Sequence, residues 1–271
     1  MFRLVFASLL VFSLFSCSKQ VSAGGVTAVE VVNDTQETDF SQFLSTVLSN
    51  AHLPQDISTK IKEGIATNPA FILELFTILQ TDPYLWILLD KEHPLSEDYE
   101  PDDLVELRGG SYRANRADLL LRRAAAESLE AMAAAARGEG VTLLASSAYR
   151  SHGYQVQLYQ RYVREIGQEA ADRISARPGH SQHQLGLVID FGSIDDSFAQ
   201  TAESRWLTAN ASRFGWSLSY PRGYEDVTGY SWESWHYRYV GIELAEFIDS
   251  YFDGIQQYAL RFIHEYKKNE S

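Results

Sequence analysis

The stretch Ser181-Gln182-His183-Gln184-Leu185-Gly186-Leu187-Val188-Ile189-Asp190 decides how this chain is read. Leu185 to Phe191 is a short apolar run with an aspartate near its end, the pattern of a buried strand carrying one charged residue. His183 stands seven positions before that aspartate, with Gly186 between them to turn the chain. A histidine on the turn and an aspartate at the far edge can converge on one point. Downstream, Glu233-Ser234-Trp235-His236 adds a second histidine with a carboxylate three residues ahead of it. Upstream, Ser147-Ala148-Tyr149-Arg150 ends on an arginine.

Those residue types suit one chemistry. Histidine nitrogen and carboxylate oxygen are the donors that Zn²⁺ accepts when no cysteine is at hand, and three protein ligands leave a coordination position open. His183, Asp190 and His236 are the candidate ligands of a single Zn²⁺. Glu233 is the candidate general base toward water, returning the proton to a leaving amine. Arg150 offers a planar fork that matches the two oxygens of a terminal carboxylate. By spacing alone the pattern is far less specific than a helical His-Glu-x-x-His. Two polar histidines beside a cleft, a solvated glutamate and a surface ion pair fit the same letters, and Trp235 reads equally as a buttress or as core. A regular strand through 233–236 would also send Glu233 and His236 to opposite faces, so a turn or bulge is required there.

Working outward, residues 40–90 read as several short helices. The apolar residues Phe40, Phe43, Leu44 and Val47-Leu48 recur at helical spacing, as do Ile61 and Ile65, and then Ile72, Leu75, Phe76 and Leu79. No pair there has ligand spacing, so the segment is assigned to support or spacing. Arg116 to Arg137 predicts one alanine-rich helix stopped by Gly138 and Gly140. Val141 to Ala145 predicts a short strand, and Tyr154 to Ala171 a second helix. Ser204 to Phe214 predicts a helix ended by Gly215, followed by strands at Trp216 to Tyr220 and Trp235 to Val240 around a loop at Pro221 to Gly229. A last helix is expected from Ile242 to about Lys268. The fold class is α+β: a small antiparallel sheet carrying the polar site, flanking helices, and an N-terminal helical region.

At 271 residues the chain can bury one good core, or one core and a small extra module. A hydrophobic content of 45% and an aromatic content of 13% predict a packed protein rather than a disordered one. The net charge of −13, with no basic stripe, speaks against nucleic-acid binding. Met1-Phe2-Arg3 precedes an apolar run, Leu4 to Ser16, that is too short to span a bilayer and suits a signal sequence. The run ends at Leu14-Phe15-Ser16-Cys17, which resembles a bacterial lipoprotein signal with Cys17 as the lipidated residue, although Phe15 is uncommon in such a box. Cys17 is the single cysteine, so no internal disulfide can form. The expected segments are a signal peptide at 1–16, a tether and helical region at 17–84, the site-bearing domain at 85–254, and a helix end and tail at 255–271. The protein is thereby placed in the bacterial cell envelope, lipid-anchored outside the cytoplasm and periplasmic.

The pattern Ser181-x-His183-x-x-Gly186-x-x-x-Asp190 followed by Glu233-x-Trp235-His236 resembles the zinc D-alanyl-D-alanine carboxypeptidases of the VanY type, in the wider group that includes hedgehog domains. Ser147-Ala148-Tyr149-Arg150-Ser151 is similar to that family's Ser-Gly-Tyr-Arg-Ser segment, and the likeness runs from about Leu88 to Tyr251. It implies that His183, Asp190 and His236 bind one Zn²⁺ and that Glu233 is the catalytic base. It also implies that Arg150 engages the substrate's C-terminal carboxylate or steadies the scissile carbonyl. Ser181, Ser147 and Gln155 resemble pocket residues, while His180 and His152 fall outside the ligand pattern. The implied substrates are peptidoglycan stem peptides, cut at D-Ala-D-Ala. Removal of D-alanine from tetrapeptide stems by L,D-cleavage, and an inert peptidoglycan-binding or structural envelope lipoprotein, are the alternatives. Four positions depart from the family: Gln182 for its usual glutamate, Leu185 for threonine, Ala148 for glycine, and Ser234 for proline. None removes a group that hydrolysis needs.

Overall fold

A strand buried along its whole length needs partners on both edges, and Val188–Phe191 has them. In the computed structural model, which describes residues 40–68 and 70–270, the chain forms seven short strands. These are β1 (Leu104–Glu106), β2 (Arg113–Ala114), β3 (Leu120–Arg122), β4 (Leu144–Ser147), β5 (Val188–Phe191), β6 (Trp216–Tyr220) and β7 (Glu233–Tyr239). The main sheet has the order β2-β4-β5-β7-β6, and β1 pairs with β3 in a separate ribbon. The pairs from β4 through β6 are antiparallel, as expected, and β2 adds a parallel pair at the edge. The expected leader and Cys17 lie outside the described residues.

The helices are α1 (residues 40–50), α2 (Gln55–Thr67), α3 (Ala70–Leu79), α4 (Pro83–Trp86), α5 (Arg123–Gly138), α6 (His152–Ile166), α7 (Gln168–Ile174), α8 (Ala202–Asn210), α9 (Glu225–Thr228), α10 (Ile242–Tyr251) and α11 (Gln256–Glu270). No helix among the described residues is long and apolar enough to cross a membrane. Two cores result. In the first, Leu129, Met132, Ala133 and Ala136 of α5 join Ile189, Phe191, Trp216 and Tyr237 of the sheet. In the second, α1 to α3 pack on α10 and α11, with Phe71 ringed by Phe247, Tyr251 and Phe262 at 4.9, 4.7 and 5.9 Å. Arg238 of β7, fully buried, ties the sheet to the segment around α4: its Nη2 donates to the carbonyls of Tyr84, Leu85 and Ile87.

Several element boundaries differ from the sequence expectation, each for a local reason. The alanine-rich helix starts at Arg123, not Arg116, because Leu120–Arg122 pairs with β1 and Arg122 is held by Asp103 and Asp82 at 2.7 Å each. The short strand after it lies at Leu144–Ser147 rather than Val141 to Ala145. The next helix divides at Gly167, whose φ of 81° does not suit a helix interior. The run beginning at Leu185 opens as a 3-10 turn, Gln182–Leu185, before β5 starts at Val188. The helix after Thr201 ends at Asn210, and a 3-10 turn at Ala211–Phe214 completes the path to Gly215. The loop at Pro221 to Gly229 contains α9. The expected last helix breaks at Asp253-Gly254, both at positive φ. The segment 255–271, expected as a helix end and tail, carries the separate helix α11, whose Tyr258, Leu260, Phe262 and Ile263 are buried in the second core.

One half-buried acid beside the sheet has a measurable consequence. Glu203 of α8 accepts the Leu144 amide proton at 2.7 Å, and burial pushes its carboxyl up to about 7. Its folded pKa therefore exceeds its unfolded value near 4.3, so stability falls as pH rises through the window from about 4 to 7. Glu203→Gln keeps the acceptor and removes the charge. The variant is expected to be about 1–3 kcal/mol more stable than the parent at pH 8 and equal to it at pH 4, read by urea unfolding at both pH values.

Candidate metal centre

Each metal-facing residue is placed by a different local device. His183 sits in the 3-10 turn that ends at Gly186, whose φ is 68°. A Cβ at Gly186 would come within 2.9 Å of Leu104 Cδ2 and 3.2 Å of Pro101 Cγ, so both the turn and the close approach require glycine. Asp190 of β5 and His236 of β7 are directly opposite residues in the antiparallel register. Glu233 sits beside a register irregularity in the β6–β7 pairing. Between the pairs Leu218↔Tyr237 and Tyr220↔Glu233 the register shifts, β6 advancing two residues while β7 retreats four. The Glu233 carboxylate meets His236 although the two are three apart in β7, so the strand is not regular between them.

The donor atoms converge. His183 Nε2 lies 3.2 Å from Asp190 Oδ2, and His236 Nδ1 lies 3.2 Å from both Asp190 Oδ1 and Glu233 Oε2. The two imidazole rings meet edge to face at 4.9 Å between centroids. One ligand atom from each of His183, Asp190 and His236 falls within 4.8 Å of the others, and all three residues are buried. His183 Nδ1 donates to the Ala148 carbonyl at 2.6 Å, which leaves Nε2 as the nitrogen with its lone pair directed at the cluster.

The electrostatics favour a cation at this point. Burial, aided by Arg150, lowers the His183 pKa to about 4, so the ring is neutral and its Nε2 lone pair faces a carboxylate oxygen. Burial alone would raise Asp190, but His183 and His236 hold it well below the usual carboxylate range. Burial raises Glu233, against the pull of His236. His236 is raised: burial opposes the charged ring, and Asp190 and Glu233 outweigh it. His183 Nε2 and Asp190 Oδ1 are buried without a hydrogen-bond partner among the described residues. Two nitrogens and a carboxylate crowded as acceptors around one point, with no cysteine present, fit Zn²⁺.

The cluster forms the floor of a cleft of about 240 Å³. Arg150 lines it, with Nη2 at 3.9 Å from Asp190 Oδ2 and a buried Nε that has no partner among the described residues. Ser147 and Ser181 also line it. Gln155 donates to Ala176 O at 2.7 Å and Ser175 Oγ at 3.3 Å, leaving its Oε1 unpartnered among the described residues. Trp235 is both core and cleft wall. His180 and His152 stand apart, on the Asp90 carbonyl at 2.7 Å and near Glu97 at 3.7 Å. Sequence reading passed over Tyr220, whose ring lies 4.6 Å from that of His236, and Tyr230, which packs on Tyr220 at 5.0 Å. Both are aromatic residues with no chemical signature in isolation. A larger cavity of about 520 Å³ opens by Asn50, His93 and His264, away from these donors.

Comparison with known proteins agrees with the geometry. Residues 118–242, which run from just before β3 to the start of α10, match the family model VanY, D-alanyl-D-alanine carboxypeptidase. The chain is 32% identical over 217 residues to a D-alanyl-D-alanine carboxypeptidase of Enterococcus faecalis (strain ATCC 700802 / V583), covering 74% of this chain and 77% of that one. It is 35% identical over 180 residues to YodJ of Bacillus subtilis (strain 168), covering 63% of this chain and 65% of the other. Among solved structures, a variant of the D,D-pentapeptidase VanY from a VanB-type resistance cassette, in complex with Zn(II), superposes with a TM-score of 0.53 at 32% identity. That match covers 64% of this chain and 96% of the other. The LD-carboxypeptidase LdcB superposes with a TM-score of 0.57 at 32% identity, covering 63% and 86%. With the ligand-bearing turn, the paired strands and the register irregularity all in place, this chain belongs to the VanY family of zinc D-alanyl-D-alanine carboxypeptidases.

Proposed function

We propose that the protein hydrolyses the last peptide bond of peptidoglycan stem peptides and releases the terminal D-alanine, with D-Ala-D-Ala as the bond cut. The observation that carries this reading is the convergence of His183, Asp190, His236 and Glu233 at the floor of a cleft that also holds Arg150. His183 Nε2, an Asp190 oxygen and His236 Nδ1 would hold the ion. When bound, Zn²⁺ supplies Lewis acidity toward a carbonyl oxygen and toward water. Glu233 takes the proton from the attacking water and passes it to the departing amine of D-alanine. A carboxylate raised by burial suits both halves of that transfer, because it neither holds nor sheds the proton too strongly. Arg150 grips the free carboxylate at the substrate's end, with its guanidinium lining the cleft and its Nε without a partner among the described residues. Ser147, Ser181 and Gln155, whose Oε1 has no partner among the described residues, supply further polar contacts to the stem.

The Cys17 signal resemblance supports a lipid-anchored protein in the bacterial envelope, periplasmic, where its peptidoglycan substrate is found. L,D-cleavage of tetrapeptide stems is the second reading, favoured by the likeness to LdcB. Mass spectrometry of products from purified tetra- and pentapeptide stems separates the two. The expected result is loss of one D-alanine from the pentapeptide, with the tetrapeptide intact. Conversion of the tetrapeptide with the pentapeptide untouched would reverse the assignment.

A further inference from the structure

His236 makes a second contact, on the side away from the metal-facing cluster. Its Nε2 lies 3.3 Å from Gln182 Oε1, and the same oxygen accepts the Ser219 hydroxyl at 2.8 Å. That hydroxyl is also 3.4 Å from Gln256 Oε1, and the Gln256 amide donates to the Ser217 carbonyl at 3.3 Å. Gln182, Ser219, Gln256 and His236 are exposed by 3%, 3%, 1% and 4%. The four residues come from the 3-10 turn, β6, the first turn of α11 and β7. With the oxygen of Gln182 turned inward, one atom accepts from both Ser219 and His236, whereas the reverse orientation would set an N–H₂ against the His236 Nε2–H.

We propose that Gln182 is a positioning residue for the metal site: its amide oxygen holds the Nε2–H of His236 and so presents the Nδ1 lone pair to the ion. The Ser219 hydroxyl, donating to the same oxygen, fixes that amide from β6. The proposal rests on His236 being a zinc ligand through Nδ1. An imidazole has two tautomers and a soft ring torsion, and an acceptor on its outer nitrogen selects one of each. His183 is held in the same manner by the Ala148 carbonyl. Both ligand histidines therefore lean on a neutral oxygen. At position 182 the family's usual glutamate would add a third carboxylate beside Asp190 and Glu233, and glutamine keeps the acceptor without the charge.

The test is zinc affinity of the full chain, by competition with a chelator, for Gln182→Met, Gln182→Glu and Ser219→Ala. Gln182→Met keeps the length and removes the acceptor, and is expected to weaken zinc binding about 10- to 100-fold. Gln182→Glu restores an acceptor and with it the affinity, while Ser219→Ala loses a smaller factor than Gln182→Met. In the zinc-loaded parent, with histidine labelled by ¹⁵N, the His236 Nε2–H should give a slowly exchanging proton signal, lost in Gln182→Met. Unchanged zinc affinity in Gln182→Met, or an equal loss in Gln182→Glu, overturns the proposal. If Gln182→Met fails to fold, the spectrum of the parent decides, and a proton on Nδ1 or a rapidly exchanging Nε2–H overturns it. Neither readout involves a substrate, so failure of the proposed hydrolysis would be seen separately, in the stem-peptide assay.

Discussion

Replacing Glu233 by alanine is expected to slow release of D-alanine by about 10³–10⁴-fold while the protein still binds one zinc per chain. The two effects separate because Glu233 is not one of the three converging donors, yet its Oε2 reaches 3.2 Å from His236 Nδ1 at the edge of the same cluster. Removing it takes away the proton carrier and leaves His183, Asp190 and His236 in place. Metal analysis and single-turnover assays on the same sample check both halves. Turnover near that of the parent would show that another group moves the proton. Loss of zinc together with activity would show that the glutamate acts in holding the metal.

Replacing Arg150 by alanine is expected to lower kcat/KM on stems with a free terminal carboxylate by on the order of 10²-fold, and much less on the amidated stem. Charge-assisted bonds to a carboxylate are stronger than neutral ones, and the guanidinium stands in the cleft with Nε unengaged among the described residues. Arg150 is also one of the influences that keep His183 neutral, and its Nη2 is 3.9 Å from Asp190. Zinc affinity should therefore hold or tighten when the cation is removed. Comparing kcat/KM on amidated and free stems checks the role, and equal losses on the two would contradict it.

The chemistry was more legible in the sequence than the boundaries were. His183, Asp190, His236, Glu233 and Arg150 were picked out by residue type together with the likeness to a family pattern, because spacing alone fits ordinary polar residues equally well. Their convergence was not legible from spacing, since the register irregularity beside Glu233 depends on how β6 pairs with β7. Helix ends were misplaced where tertiary contacts overrode local preference. Leu120–Arg122 follows Arg116 in a good helix-forming run, yet pairs with β1 as a strand. Residues 40–90 read correctly as short helices, but their partner did not show: α11 is separated from them by the whole site-bearing core and meets them through Phe71, Phe262 and Tyr266. Gln182 was visible only as a departure from a family pattern. Its contact with Ser219 and His236 joins three distant segments and leaves no trace in local periodicity.

The most direct measurement is zinc titration into protein stripped of metal by a chelator, with release of D-alanine from a pentapeptide stem followed at each step. The account predicts a silent metal-free protein, and release of one D-alanine per stem that climbs with zinc and levels off at one equivalent per chain. Full turnover without metal, or zinc bound at one equivalent with no D-alanine released, would contradict it.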